Sequence, residues 1–159
     1  MNIRYLLIFE GLWWCFSLLV AGLAIYPYYS YLITDVPFLI PNIIMAVIMV
    51  HCIRHIFFFK QSFLGNSKVL VYLLNFTFIP VCLYVVRHFS EMRIFFDDSS
   101  WIHSFSYLLT LTEKSHLATY IKTQFTFIAV TTFISGIWVS VLFVIASWRQ
   151  VRQWRMGKK

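Results

Sequence analysis

Four apolar runs, each near the ~20 residues a helix needs to cross a bilayer, restrict the fold of this chain more than any motif does. The first covers about residues 5–26 and is expected to stop at Pro27; the second covers about 38–59 and ends at Lys60. The third covers about 69–89, with Pro80 inside it as an expected kink, and the fourth covers about 125–148. Strands of a membrane barrel would alternate polar and apolar residues, and these runs do not. The expected fold is therefore all-α: a polytopic membrane protein whose 159 residues form one integral membrane domain, a four-transmembrane-helix bundle. No internal repeat, low-complexity segment or linker divides it.

Composition agrees. Sixty per cent of the residues are hydrophobic and 12% are charged, against about a quarter charged in soluble domains, so lipid must cover much of the surface. The net charge of +7 does not point to nucleic acid, because the basic residues flank the apolar runs and form no stripe. Cys15, Cys52 and Cys82 stand alone in apolar segments with no CxxC pair, which fits small core residues and no disulfide framework.

Charge also orients the chain. With the amino terminus in the cytoplasm, the inner side holds Arg4, Lys60, Lys68, Arg149, Arg152, Arg155, Lys158 and Lys159, and the outer side only Arg87, Arg93, Lys114 and Lys122. The positive-inside rule then puts both termini in the cytoplasm, with a bacterial inner membrane as the expected location. A cleaved signal peptide is the rival reading of the first run, since "AGLA" at 21–24 offers small residues. Glu10 and Trp13–Trp14 interrupt the smooth apolar core a signal peptide has, so the first run is read as a retained span.

The longest connection, roughly 90–122, falls outside. Within it Trp101, Ile102, Phe105, Leu108 and Leu109 share one helical face. This predicts an amphipathic helix over about 100–112, lying on the outer membrane–water interface or packed as a lid over the bundle mouth. At the other end Trp148 and Trp154 alternate with Arg149, Arg152 and Arg155, which reads as a helical extension with tryptophans at headgroup depth and arginines facing anionic lipid.

Ionisable groups inside the spans are the candidate site. At 1.5 Å per residue, Glu10 lies about 8 Å inside the first helix, Arg54 and His55 about 7–9 Å from the same surface, and His51 about 13 Å. Four groups on two consecutive antiparallel helices thus share one level, and His51, Arg54 and His55 share one helical face. An unpaired arginine or glutamate there costs several kcal/mol, so a Glu10–Arg54 ion pair is expected, with the histidines hydrogen-bonded nearby. Such a cluster either docks the two helices or serves as a proton relay or polar seat.

Haem and zinc fit poorly. His88 lies about 29 Å from the cytoplasmic face and cannot share a haem with His51. His51 and His55 sit one turn apart on one helix, with Arg54 beside them to repel a metal. No metal or cofactor is expected.

A second polar group, Arg87, His88, Glu91 and Arg93 with Asp97 and Asp98 close behind, marks the outer end of the third helix. Arg87 and Glu91 can pair at i, i+4, and a solvated helix end or an ion or ligand vestibule are its two readings. In the fourth span Thr131, Thr132, Ser135, Gly136 and Ser140 read as helix contacts, with Ser135–Gly136 as a point of close approach and Asn75 and Thr77 as partners.

Four resemblances attach to this sequence. "IRHI" at 53–56 is similar to the Gly-Ile-Arg-His segment of the cytochrome b anchor of succinate dehydrogenase, which implies a respiratory membrane anchor. Cys52 stands for its glycine, however, and Ile48 stands where the family's haem-ligating histidine would be. In plan, the chain looks like disulfide-forming quinone reductases, whose outward cysteines it lacks, and like colicin-type immunity proteins. "GIWVSVLFVIASWRQVRQ" at 136–153 resembles the last span and basic tail of YdgK-like uncharacterised bacterial inner-membrane proteins. That likeness implies an inner-membrane location and no activity.

No nucleophile–base pair, phosphate-cradling loop or catalytic carboxylate pair is visible. The expected function is non-enzymatic: an accessory or interaction component, of the immunity type or otherwise, partnered by the lipid bilayer and by a membrane protein or a second copy of itself. A small proton-linked transporter or channel subunit using Glu10, His51, Arg54 and His55 is the alternative.

Overall fold

The computed structural model describes the backbone of residues 3–30, 38–58, 68–105 and 108–156, with most side chains there but not those of 68–77 or 153–156. Among these residues the chain is all-helical. Helices α1 (Ile3–Ser30), α2 (Leu39–Phe58), α3 (Lys68–Asp97) and α4 (Leu111–Met156) follow one another, with a 3-10 turn at Ser99–Ile102 between the last two. Three are long and apolar enough to cross a membrane, over Leu7–Tyr28, Leu39–Phe58 and Leu111–Arg149. The boundary at Lys60, Asp35, and the proposed partners Asn75 and Thr77 fall outside the described side chains, as do Trp154, Arg155, Lys158 and Lys159.

The helices overrun the expected spans. α1 continues through Pro27 to Ser30, because a proline in the last turn forfeits a single backbone bond and buried Tyr28 anchors the turn behind it. α3 runs on to Asp97 and α4 starts at Leu111, well before residue 125. At 46 residues, α4 is about 69 Å long, more than twice the thickness of a bilayer's hydrocarbon core. A capping box starts it. The Thr110 hydroxyl accepts from the Glu113 backbone N–H at 3.3 Å, while Glu113 Oε2 accepts from the Thr110 backbone N–H at 2.8 Å and from its hydroxyl at 2.7 Å.

The amphipathic helix expected over about 100–112 does not form as one helix. After the 3-10 turn the chain bends, and α-helix resumes at Leu111. Aromatic packing explains this. Trp101 meets Phe96 and Phe105, Phe105 is buried, and Lys114 Nζ donates to the Ile102 carbonyl at 3.1 Å. Leu108, 70% exposed, points away from that core, so the five apolar side chains do not share a face. The segment is a lid over the ends of α3 and α4.

Beneath it, fully buried Phe38 at the start of α2 touches Phe95 and Phe96 of α3 and Phe125 of α4, with ring centroids 5.3–5.6 Å apart. Leu117, Ala118 and Ile121 of α4 and Met92 of α3 complete this core. Close approach occurs at Gly136, where a Cβ would stand 3.0 Å from the Phe78 ring. Nearby, the Thr132 hydroxyl lies within bonding distance of the Met45 carbonyl of α2 and the Ile128 carbonyl of its own helix. Ser135 and Ser140 donate to carbonyls one turn back, which satisfies hydroxyls that lipid cannot.

Candidate functional site

α2 lies between α1 and α4 and shows each a different stripe. Toward α1 it presents Asn42, Ala46, Val50 and Arg54, four residues apart and all buried. α1 answers with Tyr28, Ala24, Ala21 and Ser17, small except for the tyrosine, so the backbones can approach closely. Polar contacts close both ends of this seam. Where α1 finishes and α2 begins, Asn42 Nδ2 donates to the Tyr28 hydroxyl at 3.4 Å, and α4 joins where Gln124 Nε2 donates to the Ala24 carbonyl at 2.9 Å.

At the other end, where α1 begins and α2 finishes, the expected ion pair is present. Arg54 Nη1 donates to Glu10 Oε2 at 2.6 Å, and Nη2 donates to Oε1, the fork-to-fork geometry that carboxylate and guanidinium favour. Burial is uneven: the Arg54 side chain is 1% exposed and Glu10 is 23% exposed. Aromatic rings enclose the pair. The Phe9 centroid lies 5.4 Å from Arg54 Cζ, and Phe9, Trp13 and Phe58 contact one another edge-on or tilted.

The two histidines diverge. The His51 ring lies against Trp14 of α1 at 4.4 Å, and the His55 ring meets Phe143 of α4 at 6.4 Å. His55 Nδ1 lies 2.6 Å from the His51 carbonyl, so it donates there, and a neutral ring then leaves Nε2 as a bare acceptor. That atom, His51 Nε2 and Arg54 Nε are buried without a hydrogen-bond partner among the described residues. Chemically the site holds a two-point ion pair beside a histidine nitrogen with a bare lone pair. No polar path leads onward along α2. Asn42 lies about 14 Å from His51 along the helix, and Met45, Ala46, Met49 and Val50 between them are buried and apolar.

No known protein family, curated protein or solved structure matches this chain.

The outer group forms a chain of local pairs on α3. Arg87 Nε donates to Glu91 Oε1 at 3.0 Å, His88 Nδ1 lies 2.5 Å from Glu91 Oε2, and Arg93 pairs with Asp97 at 3.5 Å. Asp98 follows the end of the helix and is exposed. The Glu91 carboxyl is held below its ordinary value, first by the Arg87 hydrogen bond and then by that of His88. These side chains pair along one helix.

Sequence reasoning brought together Glu10 and Arg54 but missed the aromatic enclosure and the Tyr28–Asn42 tie. The Trp14–His51 contact alone was legible as register. Trp14 lies one turn beyond Glu10 and His51 one turn before Arg54, so an antiparallel pair aligned at the charges must also align these rings.

Proposed function

We propose that this chain is a non-enzymatic accessory protein of a bacterial inner membrane, with four spans and both termini cytoplasmic, that works by docking against another membrane protein. In this reading α3 is the fourth spanning helix, and the outer ends of α3 and α4 form a head beyond the lipid, capped by the aromatic lid. One observation carries the proposal. Glu10 and Arg54 are tied up as a two-point ion pair between α1 and α2, with an apolar break above them, and this suits a helix clamp better than a conduit. The clamp fixes α1 to α2 while only 11% of the apolar window of α1 is buried, so most of that helix faces outward, toward lipid or a partner. An immunity-type protein is one form such a component takes.

Crosslinking in native membranes followed by mass spectrometry tests this. A reproducible membrane-protein partner held through α1, and lost when Leu12 and Leu19 become tryptophan, supports it. Recovery of lipid-solvated monomer alone overturns it.

A second reading, proton-linked transport, is favoured by the unpartnered His55 Nε2 beside the ion pair. Proton flux into proteoliposomes separates the two: flux abolished by Glu10→Gln establishes transport, and baseline leakage unchanged by that substitution excludes it.

A further inference from the structure

α1 meets α4 at the outer end, at Gln124 and Ala24, but lies against the Arg54 side of α2 at the inner end, while Cys52, His55 and Ile56 of α2 face α4. On the surface of the bundle a shallow groove of about 270 Å³ opens beside the α2–α4 contact, lined by Ile56, Thr131, Ile134, Ser135 and Trp138. Its lining is almost wholly apolar, because the Ser135 hydroxyl is bonded to its own helix. Ile134 and Trp138 are 61% and 59% exposed.

The same face of α4 continues toward the C-terminus. Ile134, Trp138, Ile145, Arg149 and Arg152 follow one another at helical spacing, and all are exposed. From Trp138 to Arg149 the helix rises about 16 Å, close to half the ~30 Å hydrocarbon thickness. No acidic residue occurs after Glu113, so nothing on this half of α4 neutralises the two arginines. A groove whose Trp138 lies about one leaflet's length along α4 from two cations, with an apolar track between them, matches the charge and length of one molecule. We infer that this face of α4 binds an anionic phospholipid of the adjoining leaflet, its phosphate held by Arg149 and Arg152 and one acyl chain lying along Ile145 into the groove at Trp138. The assignment needs α4 to be embedded in lipid and does not depend on the accessory role proposed above.

Native mass spectrometry of the full chain, released from nanodiscs of mixed phosphatidylglycerol and phosphatidylcholine, reads the headgroup. Wild type is expected to retain phosphatidylglycerol preferentially. Arg149→Gln and Arg152→Gln are each expected to reduce that preference about fivefold, and Arg149→Lys to keep most of it. A second measurement reads the chain: phosphatidylglycerol brominated near the acyl terminus should quench the fluorescence lost in Trp138→Phe more strongly than brominated phosphatidylcholine does. Equal retention of the two lipids, a preference unchanged by both glutamine substitutions, or equal quenching by the two brominated lipids overturns the inference.

Discussion

Arg54 grips both carboxylate oxygens of Glu10 across the α1–α2 seam while being almost completely buried itself. The arrangement is one-sided, since Glu10 keeps partial exposure and the guanidinium does not. Removing the acid should therefore cost more than the pair contributes. Glu10→Ala is expected to destabilise the chain by about 3–5 kcal/mol, the usual penalty for stranding one buried charge. Replacing Glu10 by Leu together with Arg54 by Met should recover most of that loss. Reversible unfolding in micelles for the four corners of the cycle is the measurement, and near-neutral single substitutions would contradict a buried clamp.

Gly136 stands where α3 and α4 approach most closely among the described glycines, with the Phe78 ring 3.0 Å from the position a Cβ would take. Gly136→Val should cost about 1–3 kcal/mol by overpacking. Combining it with Phe78→Ala should relieve part of that cost, because the ring is what the new methyl groups meet. Additive losses in the double variant would show that the contact is looser than the structure indicates.

The start of α4 rests on Thr110. Thr110→Ala removes the hydroxyl that both caps the helix and donates to Glu113, at an expected cost of about 1 kcal/mol. Hydrogen–deuterium exchange should show protection falling at residues 111–114 and unchanged beyond residue 125. Unaltered protection of that first turn would mean the lid, not the cap, holds the helix end.

Glu91 lies beyond the apolar run of 69–89 and Glu113 before that of 125–148, and both have carboxyls held below the ordinary value of 4.5. The cause at Glu91 is hydrogen bonding from Arg87 and then His88; at Glu113 it is the Thr110 hydroxyl and then the Thr110 backbone N–H. A depressed carboxyl stabilises the fold fully above its unfolded value and loses that contribution as pH falls through its folded value. Exchange at residues 111–114 should therefore be independent of pH-linked opening near neutrality, and opening should increase only below pH 4.5, with Glu113→Gln flattening the change. Loss of protection between neutrality and pH 4.5 would place the responsible group elsewhere.

The parts of this protein legible in its sequence are those set by a solvent that cannot hydrogen-bond. An apolar run in lipid must satisfy its own backbone, so helices at three of the four expected positions suited to crossing a membrane follow from the runs themselves. The same constraint puts Glu10 opposite Arg54, since two buried charges on antiparallel neighbours at one depth lose least by pairing. Where water competes, the pattern was weaker. The periodicity of 101–109 read as a helix, yet Trp101 and Phe105 gain more by filling the space above Phe96 and Phe38 than by sharing a surface stripe with Leu108. The start of α4 was written in the Thr-Leu-Thr-Glu box at 110–113, but hydropathy alone places the helix where the apolar run begins.

Apolarity and charge position, properties of each residue and its distance along the chain, thus determined helix class, number of runs and the level of the ion pair. Only the tertiary structure decided that α2 shows Arg54 to α1 and Cys52, His55 and Ile56 to α4, and that α1 meets α4 near Gln124. Helices this uniformly apolar carry almost no rotational preference of their own. Their facing sides were selected by shape, through small residues such as Ser17, Ala21 and Ala46 that let backbones approach and through rings such as Phe38 that fill what remains.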